Sequence, residues 1–305
     1  MDKVRHIKKI LKSKPTLEGA GVHLKRVFGY PHTPLFDPFL LMDDFHSDDP
    51  EAYMHGFPWH PHRGIETITY VLHGFVDHGD SLGNSGVIAP GDVQWMTAGS
   101  GIIHQEMPRG DEVDRLWGFQ LWANLPAKEK MMDPRYRELK DQEIPRVDLD
   151  NGASIRIICG EVNGVQGPVQ DIVIDPEYLD VTVPEETHFV HPVPDGYTAF
   201  AYVIEGQGFF DPETDPYPFE FEGANYFDFE REEGIGPESL VLFDDHGHVS
   251  VKTEMRGLRF LLISGKPIGE PIAWQGPIVM NTQEELQLAF EAYRQGTFLK
   301  SQTSI

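Results

Sequence analysis

Between residues 60 and 125 short apolar runs alternate with turn residues. Thr67-Ile68-Thr69-Tyr70-Val71-Leu72 ends before Gly74, Gly86-Val87-Ile88 ends before Pro90-Gly91, and Leu116-Trp117-Gly118-Phe119-Gln120-Leu121-Trp122 follows. Runs of this length, rich in β-branched and aromatic residues and bounded by glycine and proline, predict strands at the spacing of a small barrel. After Pro126 the stretch Ala127-Lys128-Glu129-Lys130-Met131-Met132 turns polar and loses period-two alternation, which predicts a linker with a short helical turn. Near the C-terminus the period changes. Leu286, Ala289, Phe290 and Tyr293 follow the i, i+3, i+4, i+7 spacing of an amphipathic helix, with Thr282 and Glu285 placed as a capping box and Gly296 as a stop. That helix carries no chemistry and is expected to pack against a barrel.

The second half repeats the first. Tyr70-Val71-Leu72-His73-Gly74 has a counterpart in Tyr202-Val203-Ile204-Glu205-Gly206, 132 residues further on. A chain of 305 residues can form two domains, each burying its own core, and 30 glycines and 24 prolines suit short strands joined by turns. The expected fold is therefore all-β, a duplicated barrel divided into residues 1–137 and 138–305, the second ending in the helix. Two joined barrels can bury their cores unaided, so a monomer is expected.

A formal net charge of −24 repels phosphate backbones and argues against nucleic-acid binding. The N-terminus runs against this balance, with Lys3, Arg5, Lys8, Lys9, Lys12 and Lys14 crowded together, and reads as a solvated edge strand kept from aggregating by its lysines. No apolar run there resembles a secretory signal and none later is long enough to span a membrane, so a soluble, cytoplasmic protein is expected. Cys159 is the single cysteine, which excludes an internal disulfide; it sits in the apolar run Ile155-Arg156-Ile157-Ile158-Cys159 and reads as a buried strand thiol.

Chemistry concentrates in two short stretches. His60-Pro61-His62-Arg63-Gly64-Ile65-Glu66 is answered about forty residues later by Gly99-Ser100-Gly101-Ile102-Ile103-His104-Gln105-Glu106. Residues i and i+2 of a strand share a face, so His60 with His62, and His104 with Glu106, each present two donors to one point. Three imidazoles and a carboxylate suit iron, manganese, nickel, copper or zinc better than magnesium or calcium. A lone HxH among 14 histidines is weak evidence, but the paired HxE after a glycine-rich turn is what a barrel needs to close around a metal. The repeat sets His60, His62 and Glu66 opposite Pro192, Pro194 and Thr198, so the second barrel is expected to lack ligands. His246-Gly247-His248 lacks an HxE partner and reads as a turn, and His55, His73, His78, His188 and His191 read as surface or supporting groups.

The blocks HPHRGIETITYVL (60–72), DSLGNSGVIAPGDVQWMTAGSGIIHQEMP (80–108) and LISGKPIGEPIAWQGPIVMNTQEELQLAF (262–290) closely resemble the pirins, a family within the cupin superfamily. The resemblance runs nearly end to end and is looser over residues 150–255. It implies two tandem cupin barrels, with one iron in the N-terminal barrel held at the positions of His60, His62, His104 and Glu106. Glu66 stands where many other cupins place a ligand carboxylate; the pirin pattern takes its carboxylate from the HxE, leaving Glu66 a supporting role. Two kinds of function attach to the family. Some bacterial members resemble quercetinases, dioxygenases that open a flavonol ring with O2, whereas animal and plant members resemble iron-dependent partners of transcription factors. The first implies Glu106 as the base that takes the flavonol hydroxyl proton, with Phe57, Trp59, Trp95, Met96, Trp117 and Phe119 as candidate walls for a flat aromatic substrate. The second implies a redox switch and, given the acidic excess, a basic protein partner.

Overall fold

A computed structural model describes residues 3–211, 220–222 and 234–300; positions 212–219 and 223–233 of the expected C-terminal barrel lie outside the described residues. Strands dominate, and the one long helix among the described residues is Gln283–Arg294. The chain divides into two compact units, each made of two segments: Pro15–Asp141 with Ile268–Ile305, and Met1–Lys14 with Gln142–Pro267. The division expected at residue 137 thus gives way to an exchange of ends. Its cause is local. Ile7–Lys12 pairs with Ser239–Phe243, burying Ile10 and Leu11, while Leu286 and Ala289 of the terminal helix join Ala273, Ile278, Met280 and Phe298 in one apolar cluster.

In the first unit, a seven-stranded sheet runs in the order Arg135–Leu139, Val93–Thr97, Ile65–His73, Leu116–Asn124, Phe39–Ser47, Val22–Phe28, Lys14–Glu18. A second sheet holds Phe57–His62, Ile102–Arg109, Phe75–Asp80 and Ser85–Ile88. Strand register lines up one polar row: Arg26 opposite Asp43, Asp43 opposite Gln120, Gln120 opposite Thr69, Thr69 opposite Gln94. Because side chains alternate between faces, this whole row shares one face of the sheet. Burying it costs free energy unless each group finds a partner, which marks that face as more than packing.

The stretch after Pro126 makes the expected turn, with Glu129 N and Lys130 N both donating to Pro126 O, and Arg135–Leu139 beyond it pairs with Val93–Thr97. Lys130 in that turn is buried, and its Nζ donates to Gly64 O (2.9 Å), Asn124 Oδ1 (2.6 Å) and Val279 O (3.2 Å). Three donors meet three acceptors, so the ammonium is satisfied without water. The helix follows its sequence pattern: Thr282 and Glu285 form the capping box, and Gly296, at φ +72°, lies just past its end.

The second unit holds an eight-stranded sheet and the pair His188–Pro192 with His248–Lys252. Its N-terminal strand is not a solvated edge, because Ile7–Lys12 lies between Ser239–Phe243 and Glu220–Glu222. Arg5 just before it is fully buried, donating to Gly247 O (2.8 Å), Tyr197 O (3.0 Å) and Pro194 O (2.7 Å). The repeat is visible at strand level. Tyr202 sits in Thr198–Gly206 between Leu240 and Leu261, as Tyr70 sits in Ile65–His73 between Val93 and Phe119. What differs is the filling. Phe189, Phe210 and Phe260 meet edge to face at 5.9 and 5.4 Å within a cluster that includes Leu179, Val203 and Leu262.

Candidate metal centre

The two strands that carry the candidate ligands lie side by side. Phe57–His62 and Ile102–Arg109 are antiparallel, with His104 opposite His60 and a register irregularity between His104 and Glu106. Directly opposed residues on one face bring their Cβ atoms to about 5 Å, close enough for imidazoles to converge. The ring centroids of His60, His62 and His104 stand 4.4 to 5.0 Å apart, and one nitrogen from each falls within 4.8 Å of the others. Gly64 makes the turn that follows. Its φ is +79°, and a Cβ there would lie 2.0 Å from Val279 O.

Hydrogen bonds set the tautomers. His60 Nδ1 lies 2.9 Å from Pro58 O and His62 Nδ1 lies 3.1 Å from Pro277 O. A carbonyl only accepts, so each Nδ1 carries the proton and each Nε2 keeps its lone pair. Those two Nε2 atoms are 3.1 Å apart. Lone pairs so close repel, and protonating one ring is opposed because burial lowers the pKa of His60 and holds His62 and His104 well below the usual histidine value. A metal ion removes the conflict: with bonds of about 2.1 Å, two nitrogens at a right angle sit about 3.0 Å apart. His104 adds a third donor, since both of its ring nitrogens are buried and without a hydrogen-bond partner. The residues present therefore fit a mononuclear ion.

Glu106 stands beside the three imidazoles. Its Oε2 is 3.9 Å from His104 Nε2, and its Oε1 accepts from Thr69 Oγ1 at 3.1 Å. Burial pushes its carboxyl up to about 7, against the opposing effect of the Thr69 hydrogen bond. Glu66 is elsewhere. It precedes Thr67 in an alternating strand, so it faces away from Thr69, and its Oε1 accepts from Thr97 Oγ1 at 2.6 Å. Burial raises its pKa as well.

A cavity of about 700 Å³ opens onto the site, with His60, His62, Glu106, Thr69 and Gln120 in its lining. Of the six aromatic and apolar residues expected to wall it, only Phe57 does so. Trp59 is half exposed, Trp95 and Phe119 alternate to the far face of their strands, Met96 packs with Ile65 and Ala98, and Trp117 stacks on His46. Phe45, Trp122 and Trp274 take that role instead. Trp122 was legible, because it shares strand parity with Gln120; Trp274 lies too far along the chain for any local pattern to place it. Arg63 was also missed. Its guanidinium donates to Ser100 O and Phe298 O, both at 2.7 Å, and so ties the HPHRG turn to the glycine-rich turn before His104.

His78 is buried with its ring 5.5 Å from that of His104, His191 pairs with Glu177 at 2.9 Å, and His188 with Ser250 at 2.8 Å. His246 is exposed, and among the described residues no metal-ligating group other than His60, His62 and His104 forms.

Known proteins resemble this chain over most of its length. Residues 21–123 match the family model described as Pirin, and residues 178–299 match the one described as the Pirin C-terminal cupin domain. A pirin-like protein of Caulobacter vibrioides is 42% identical over 97% of this chain and 99% of its own. A Pseudomonas aeruginosa protein, named provisionally as a quercetin 2,3-dioxygenase, is 39% identical with the same coverage. The solved structure of a quercetin 2,3-dioxygenase from Acinetobacter baumannii superposes with a TM-score of 0.83 at 27% identity, covering 97% of this chain and 99% of that one.

Proposed function

The chain belongs to the pirin family, and on that premise we propose that it is a mononuclear metal-dependent dioxygenase of the quercetinase type, acting on a flavonol-like substrate and O2. One observation carries the reading: two imidazole lone pairs, fixed by Pro58 O and Pro277 O, converge at the lining of a largely apolar cavity. The names of the Pseudomonas and Acinetobacter proteins support the same chemistry. His60, His62, His104 and Glu106 would hold the ion, iron(II) first among the metals this donor set accepts, with manganese, nickel, copper and zinc as the others. When bound, such an ion supplies Lewis acidity toward a ring hydroxyl and a path for electrons to O2.

The protein residues do the rest. Phe45, Trp122 and Trp274 give the cavity flat apolar walls for an aromatic ring system. Glu106, swinging its Oε2 off the ion while Oε1 stays on Thr69, takes the substrate hydroxyl proton. The apolar surroundings keep bulk water from that proton.

The test measures O2 uptake and carbon monoxide release with quercetin, using protein reconstituted anaerobically with ferrous iron and His62→Ala as control. Turnover in the wild type that vanishes in the control is expected. Stoichiometric metal without turnover would overturn the dioxygenase reading in favour of a redox-sensing partner of another protein. Glu106→Gln is expected to retain metal and lose turnover; unchanged ring cleavage in that variant would remove Glu106 as the base.

A further inference from the structure

Thr69 is buried in the polar row between Gln120 and Gln94, and its hydroxyl oxygen has two close neighbours: Glu106 Oε1 at 3.1 Å and Gln120 Oε1 at 2.8 Å. A hydroxyl has one proton to give, and both neighbours as placed are acceptors. An ionised Glu106 is compatible with this contact only when the Gln120 carboxamide turns its nitrogen to Thr69. Such a half-turn exchanges groups of nearly equal size and is settled by the hydrogen-bond network. Gln120 Nε2 then donates to Thr69, and the single Thr69 proton goes to Glu106 Oε1. Little freedom is left, because threonine is stiff at χ1 and strand register places Gln120 directly opposite.

We propose that Thr69, backed by Gln120, is the positioning residue of Glu106: it ties Oε1 to the cavity wall, so that the carboxylate can meet the ion through Oε2 alone. The inference rests on the metal centre proposed above. A carboxylate can take one or two places on a metal. Restraining one oxygen keeps a place open on the cavity side, where Thr69 and Gln120 both line the wall. The hydroxyl of Thr69 bonds to Glu106 and Gln120, so it acts through Glu106.

The experiment loads wild type, Thr69→Val, Thr69→Ser and Gln120→Leu with cobalt(II), then records the visible d–d absorption and titrates each with azide. Valine keeps the shape of threonine and removes only the donor. In Thr69→Val the freed oxygen should join the ion, weakening the d–d bands as coordination number rises. Azide affinity should fall about tenfold, the scale on which groups behind metal ligands act. Thr69→Ser should restore the wild-type spectrum, and Gln120→Leu should move both readouts the same way as valine. A Thr69→Val protein with the wild-type spectrum and azide affinity would overturn the role of Thr69. If that variant does not fold, Gln120→Leu decides alone by the same readouts. Wild-type protein that takes up no cobalt would instead overturn the metal centre itself, so the two failures are distinguishable.

Discussion

His62 Nδ1 meets a carbonyl 215 residues away in sequence, and that bond fixes the nitrogen that faces the site. The three imidazoles and the neighbouring Glu106 were legible as HxH and HxE because strand parity needs only neighbouring residues. Their tautomers and supports were not, since Pro277, Thr69 and Arg63 act across strands and no local spacing announces them. Removing one imidazole should show how far the site depends on all three: His62→Ala is expected to lose stoichiometric metal in elemental analysis, and full retention would discredit the trio. Glu66 offers a test of the opposite assignment. Burial raises its folded pKa above 4.5, so the folded state holds that proton more tightly than the unfolded chain. Its contribution to stability is fully present below about 4.5 and is lost as pH rises through the folded value. Glu66→Gln keeps an acceptor for Thr97 and never bears the charge. Its melting temperature should match wild type near the acid end and exceed it increasingly toward pH 8. A variant less stable at pH 8 would mean that the carboxylate is paired, not merely buried.

Strands and the terminal helix were readable element by element, because periods of two and 3.6 and their bounding glycines are local signals. The turn after Pro126 was legible too, but the burial of Lys130 within it was not, because charge suggests exposure and its acceptors come from Gly64, Asn124 and Val279. The basic N-terminal segment misled in the same way, since its lysines suggested an edge while Ile10 and Leu11 were being buried between two strands. Lys130→Ala therefore should cost about 3 kcal/mol, from three buried hydrogen bonds lost at roughly 1 kcal/mol each. Denaturant unfolding checks the value, and a loss under about 0.5 kcal/mol, the usual limit for exposed sites, would return this turn to the role of a solvated linker.

Duplication produced two barrels whose interiors diverged. One keeps a cavity edged by imidazoles, and the other is packed with phenylalanine and aliphatic side chains. The exchange of ends means that neither compact unit is a continuous piece of chain, which no division of the sequence at one point could reveal. It also makes a sharp prediction about where the metal site's support lies. Residues 268–300 supply Pro277 O to His62 and Phe298 O to Arg63, so a chain ending at Pro267 should fail to bind metal although His60, His62, His104 and Glu106 all remain in it. Deleting residues 1–14 removes Arg5 and the Ile7–Lys12 strand from the second unit and should lower its melting temperature while leaving metal stoichiometry intact. Elemental analysis with calorimetry separates the outcomes. Metal retained in the chain ending at Pro267, or lost with the first fourteen residues alone, would show that the support of the site has been assigned to the wrong end of the chain.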